Sequence, residues 1–128
     1  MEQQTLTILL VDDDPDLRLL LQMRLDLEPD MLVIGCAGNG DEALHECRRL
    51  GPMLVVMDLL MPGTDGFEAI AAIQKEAPDT LIVAYTGAAG TFVDRQMAKL
   101  GVPLVIKETD SRPLVYAIRA TAATGGLP

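Results

Sequence analysis

Short continuous apolar runs alternate along this chain with stretches in which apolar residues recur every three or four positions. Runs of this length bounded by turn residues read as strands covered on both faces, and the longer periodic stretches read as helices. The expected strands are Leu6 to Val11, Met31 to Cys36, Met53 to Met57, Thr80 to Tyr85 and Val102 to Ile106. The expected helices run from Pro15 to about Glu28, Asp41 to Leu50, Phe67 to Glu76, Thr91 to Leu100 and Ser111 to Ala123. Pro29 and Pro78 lie just beyond two helix ends, Gly38-Asn39-Gly40 makes a turn, and Asp110 is placed to cap the last helix. In the first helix Leu17, Leu20, Leu21 and Leu25 are expected to share the core side. Leu19 and Met23 fall on the other side, as tolerated surface residues or as a stripe for a partner.

Strictly alternating strands and helices imply a parallel sheet with helices on both faces, because parallel strands need right-handed crossover connections. All strand C-termini then lie along one edge, where open doubly wound sheets bind ligands. Asp12, Asp13, Asp58, Thr86 and Lys107 all belong to that edge. The most informative stretch is Asp58-Leu-Leu-Met-Pro-Gly-Thr-Asp-Gly66, which reads as a strand end, a loop broken by Met61-Pro62-Gly63, and a helix opened by Gly66.

Composition narrows the function. The 128 residues are 49% hydrophobic, enough for one domain with a sizeable core, yet only 3% are aromatic and none is Trp. The core must therefore be aliphatic. A net charge of −9 argues against direct nucleic-acid binding, which depends on clustered Lys and Arg. Cys36 and Cys47 lack metal-site spacing and are expected to be ordinary reduced core cysteines. No signal-peptide pattern is present and no apolar run approaches the roughly 20 residues of a membrane span, so the expectation is a cytoplasmic protein without membrane contact.

Carboxylates from the first and third strand ends repel one another unless a cation lies between them. Oxygen-only ligands at an open site suit Mg²⁺, or Mn²⁺, with coordination positions left for phosphoryl oxygens. A carboxylate beside such a metal can attack phosphorus in line and become an acyl phosphate, with Lys107 as a second positive charge and the Thr86 hydroxyl as a donor. The residues thus describe a phosphoryl receiver. A haloacid-dehalogenase-type phosphohydrolase is disfavoured because Leu60 stands where its second Asp is needed. A flavin site is disfavoured because Asp12-Asp13-Asp14 would repel a phosphate.

Taken together, Leu9-Leu-Val-Asp-Asp-Asp-Pro15, Asp58 to Gly66, Thr86 and Lys107 resemble the receiver domain of bacterial two-component response regulators over essentially the whole chain. The turn at Gly38-Asn39-Gly40 and the ending Ile106-Lys-Glu-Thr-Asp110 look most like the subgroup with a helix-turn-helix (LuxR-type) output domain. The resemblance implies a flavodoxin-like, doubly wound α/β fold: a five-stranded parallel sheet of order 2-1-3-4-5 with five helices. It implies Asp58 as phospho-acceptor, Asp13 as direct metal ligand, Asp12 as ligand through water, and the Leu60 carbonyl as a further ligand. Thr86 and Lys107 would bind the phosphoryl group, and Asp14 would be a flanking residue.

A sensor histidine kinase or phosphotransfer protein would be the donor, and a homodimer is compatible with the family. The chain would be an acceptor that assists its own phosphorylation and dephosphorylation rather than an enzyme acting on metabolites. Residues 1–124 would form the receiver and 125–128 the start of a linker or tail, in a free-standing receiver or one whose transcription-regulating output domain lies beyond. The chain departs from the family pattern at Leu104, where Tyr or Phe is usual, and at Glu108, where many receivers have Pro. Leu60 and Ala88 flank the path of hydrolytic water in this family. The alternative reading is an interaction module of receiver type that acts without phosphorylation.

Overall fold

A computed structural model describes residues 4–87, 90–108 and 110–125. Its main sheet consists of β1 (Leu6–Val11), β2 (Met31–Ala37), β3 (Leu54–Met57), β4 (Leu81–Thr86) and β5 (Leu104–Ile106), all parallel and in the order β2-β1-β3-β4-β5. The helices are α1 (Pro15–Asp26), α2 (Gly40–Leu50), α3 (Gly66–Glu76), α4 (Thr91–Leu100) and α5 (Arg112–Thr124). This is the flavodoxin-like arrangement that the resemblance implies.

Strand alternation divides the core in two. Ile8, Leu10, Leu54, Val56, Val83, Tyr85 and Val105 pack with α1 and α5. Their neighbours Leu9, Val11, Val55, Met57, Ile82 and Ala84 pack with α2, α3 and α4. β1 and β3 are buried along almost their whole length, so their ends are held rigidly. Local polar groups fix the helix starts: Asp14 caps α1 by accepting from the Asp16 and Leu17 N–H groups, and Asn39 and Asp65 do the same for α2 and α3.

Several expectations need correction. The Leu60 to Asp65 segment is not an irregular loop: Leu60–Met61 and Thr64–Asp65 form a small antiparallel ribbon. Pro62 and Gly63, the latter at φ +71°, close it as a two-residue turn. The fifth strand begins at Leu104 rather than Val102. The Val102 N–H is spent on the Met97 carbonyl at 2.9 Å, ending α4, and Pro103 has no N–H for a ladder. α1 stops at Asp26, short of Glu28, whose N–H turns back to Leu25.

Leu20 is 64% exposed instead of facing the core, so it joins Leu19 and Met23 on an apolar outer face of α1, with exposed Leu27 just past the helix end. Cys36 is exposed on edge strand β2 because its side chain alternates outward, whereas Cys47 is buried. Burial pushes the Cys47 thiol up to about 11, so it stays protonated at neutral pH. Asp110 accepts the Arg112 N–H at 2.9 Å, but Ser111 is the residue at the cap position itself.

Candidate functional site

β1, β3 and β5 deliver the site from their C-terminal ends. Asp12 and Asp58 follow immediately after β1 and β3, and a bond from the Asp58 N–H to the Val11 carbonyl at 2.9 Å extends the ladder to them. They are only 3% and 2% exposed, although their neighbour Asp13 faces solvent. Carboxylate oxygens of Asp12, Asp13 and Asp58 all lie within 4.8 Å of one another. These three form a cluster able to hold a metal ion, open on the Asp13 side.

Lys107 closes the opposite side. Its Nζ donates to Asp12 Oδ2 at 2.8 Å and lies 3.0 Å from Asp58 Oδ2. The Lys107 N–H donates to the Thr86 carbonyl at 2.7 Å, which ties the end of β5 to the end of β4. Thr86 is fully buried as the last residue of β4, a position one residue inside the strand rather than beyond it. The structure therefore brings Asp12, Asp13, Asp58 and Lys107 into one cluster, with Thr86 on the neighbouring strand end. Asp14 is drawn away as the α1 cap. Ala88 lies outside the described residues.

The electrostatics are those of a site under charge stress. Burial raises the Asp58 pKa above its ordinary 3.8, outweighing the opposing bonds from the Leu60 N–H and Lys107, and the Asp12 carboxylate adds to the rise. For Lys107 burial works toward neutrality, but Asp12 and Asp58 overcome it and hold the ammonium form above its usual range. One cation thus serves two buried carboxylates.

Supporting groups fix the loop geometry. The Leu60 N–H donates to Asp58 Oδ1 at 3.0 Å, choosing which oxygen remains available. The Leu60 side chain is exposed at the same mouth. A Cβ on Gly66 would come within 2.9 Å of the Leu59 Cα and carbonyl oxygen, so only glycine lets α3 start this close to the acidic loop. Arg18, one helical turn beyond the Asp14 cap, donates to the Asp12 carbonyl at 2.7 Å and anchors the β1–α1 loop. Arg18 and the Tyr85 ring under Lys107 escape a reading focused on strand-end acids. Their signals are helical spacing from Asp14 and the position next to Thr86.

Comparison with known proteins agrees with this geometry. Residues 8–119 match the response regulator receiver domain family, and the chain belongs to it. A curated relative, a protein-glutamate methylesterase/protein-glutamine glutaminase of Syntrophus aciditrophicus, is 36% identical over 115 residues, 88% of this chain and 33% of that protein. The nitrate/nitrite response regulator NarL of Escherichia coli is 34% identical over 84 residues, covering 66% of this chain and 39% of that protein. The matched part is thus a third or so of those relatives.

Among solved structures, a LuxR-family two-component response regulator from Aurantimonas superposes with a TM-score of 0.89 at 32% identity, covering 94% of this chain and 87% of that one. The response regulator TrrA of Thermotoga maritima, solved in complex with Mg²⁺ and BeF, gives 0.81 at 29% identity, covering 91% of this chain and 98% of that one. Among the described residues no helix is long and apolar enough to cross a membrane.

Proposed function

We propose that the chain is a phosphorylation-controlled switch in which Asp58 accepts a phosphoryl group from a histidine kinase or phosphotransfer protein in a Mg²⁺-dependent step. The observation that carries this reading is the Asp12, Asp13 and Asp58 cluster with Lys107 bridging two of its members. An all-oxygen donor set of this kind fits Mg²⁺ or Mn²⁺ and does not fit a thiophilic metal.

Asp13 would ligate the ion directly, Asp12 through water, and Asp58 and the Leu60 carbonyl would complete the protein ligands. The ion would supply positive charge for the phosphoryl oxygens. The chain's own residues do the rest. The Asp58 oxygen not held by the Leu60 N–H forms the new bond to phosphorus as the bond to the donor's leaving atom breaks. Lys107, already cationic beside that oxygen, takes up charge on the transferred group, and the Thr86 hydroxyl is the adjacent donor.

In the same reading residues 1–124 are the receiver and 125–128 begin a linker, the domain touches no nucleic acid itself, and the surface that changes is that of the fourth and fifth βα units. Leu104, half-buried against the α2–α4 side of the core, favours a smaller rearrangement there than an aromatic ring would give. That feature keeps a phosphorylation-independent interaction module as the second reading.

Intact mass after incubation with acetyl phosphate tests the proposal. Gain of one phosphoryl group with Mg²⁺, absent without metal and absent in Asp58→Asn, is the expected result. No gain in a folded wild-type protein would favour the second reading.

A further inference from the structure

The position of Lys107 rests on more than its two carboxylates. Tyr85 pairs with Val105 in the β4–β5 register, and Thr86 pairs with Ile106. Alternation therefore puts Tyr85, Val105 and the next residue of that parity, Lys107, toward the α1/α5 side of the sheet. The Tyr85 side chain is 4% exposed, and Lys107 Nζ lies 5.7 Å from the centroid of its ring. That is cation–π range, and a desolvated cation gains most from it.

Burial pushes the Tyr85 phenol pKa up, so the ring beside Lys107 stays neutral. Meanwhile Lys107's own N–H is held by the Thr86 carbonyl, next along β4. Two successive residues of β4 thus hold Lys107, one at its ammonium group and the other at its peptide N–H.

We propose that Tyr85 is a positioning residue for Lys107: its ring supports the ammonium group from below, so that Nζ stays aimed between Asp12 and Asp58. This rests on the phosphoryl-acceptor reading for its consequence, but the placement itself is independent of it. Tyr85→Phe keeps the ring and Tyr85→Leu removes it, so the two variants together isolate the contribution of the ring.

The test is NMR on the full chain combined with the rate of labelling by acetyl phosphate in excess Mg²⁺. In the wild type the Lys107 ε-methylene protons should carry an upfield ring-current shift, kept in Tyr85→Phe and lost in Tyr85→Leu. Labelling should stay close to the wild-type rate in Tyr85→Phe and slow by about tenfold in Tyr85→Leu, as expected when a charge that must meet the phosphoryl group is misplaced. A Phe variant that labels as slowly as the Leu variant, or a Leu variant whose Lys107 shift or labelling rate matches wild type, would overturn the proposal. A wild type that is never labelled would instead sink the phosphoryl reading, while the ring-current result still decides the role of Tyr85.

Discussion

The molecule carries two ion clusters at opposite edges of one sheet, and they are built on opposite principles. At the edge where strands begin, Arg119 of α5 grips Asp30 through Nε at 2.9 Å and Nη2 at 2.8 Å, and reaches Glu28 at 2.9 Å. That cluster is solvated, its Arg119–Asp30 geometry is bidentate, and both members of that pair are shifted toward their charged forms: the bond to Arg119 lowers the Asp30 pKa and the same bond raises that of Arg119. At the edge where strands end, Asp12 and Asp58 are buried together with a single Lys107, and the Asp58 carboxyl is shifted toward its neutral form.

The first arrangement ties helix α5 to the α1–β2 loop at little cost. The second stores a charge conflict where an aliphatic core could have continued. An unrelieved conflict of this kind is unfavourable for folding, and its presence points to a ligand that relieves it.

The sharpest way to break this contrast is to remove the cation. Lys107→Ala leaves two buried carboxylates facing each other, and calorimetry at pH 7 without divalent metal should show a loss of about 2 kcal/mol, below the roughly 3–5 kcal/mol for breaking a fully buried pair because Lys107 retains some exposure. Added Mg²⁺ should restore part of that loss.

A smaller effect of opposite sign is expected for Asp58→Asn. Because the Asp58 pKa is higher folded than its ordinary 3.8, the folded state binds this proton more readily and ionisation costs stability. The cost is absent below pH 3.8, grows through the window between 3.8 and the folded value, and is fully present above it. Asp58→Asn should therefore unfold at a higher temperature than wild type at pH 7 without metal, and the gap should close as the pH falls through that window. A variant that is less stable at neutral pH would contradict the account.

The smallest effect belongs to the solvated cluster. Arg119→Ala should lower the unfolding temperature slightly, by an amount that shrinks as salt is added, because exposed pairs are screened.

Much of this was legible in the sequence, for identifiable reasons. Buried strands of a parallel sheet are continuous apolar runs, so the order of elements and the strand-end positions of Asp12, Asp58 and Lys107 could be read directly. Leu20 misled because the 3.6-residue period places it near the edge of the apolar stripe, where the tilt of α1 decides its burial. The ribbon at Leu60 to Asp65 was hidden because two-residue strands have no periodicity to detect. Lys107 was legible as a site member, but its bridge between Asp12 and Asp58, like the Tyr85 ring beneath it, depends on β4–β5 register, which no local pattern encodes.

The most direct measurement is to place the phosphoryl group. Borohydride reduces an aspartyl phosphate to homoserine, so protein treated with acetyl phosphate and Mg²⁺, then borohydride, then digested, reports the modified residue by peptide mass. The account predicts homoserine at residue 58 alone. Reduction at Asp12, Asp13 or elsewhere, or none at residue 58 in a protein that has gained phosphoryl mass, would contradict it.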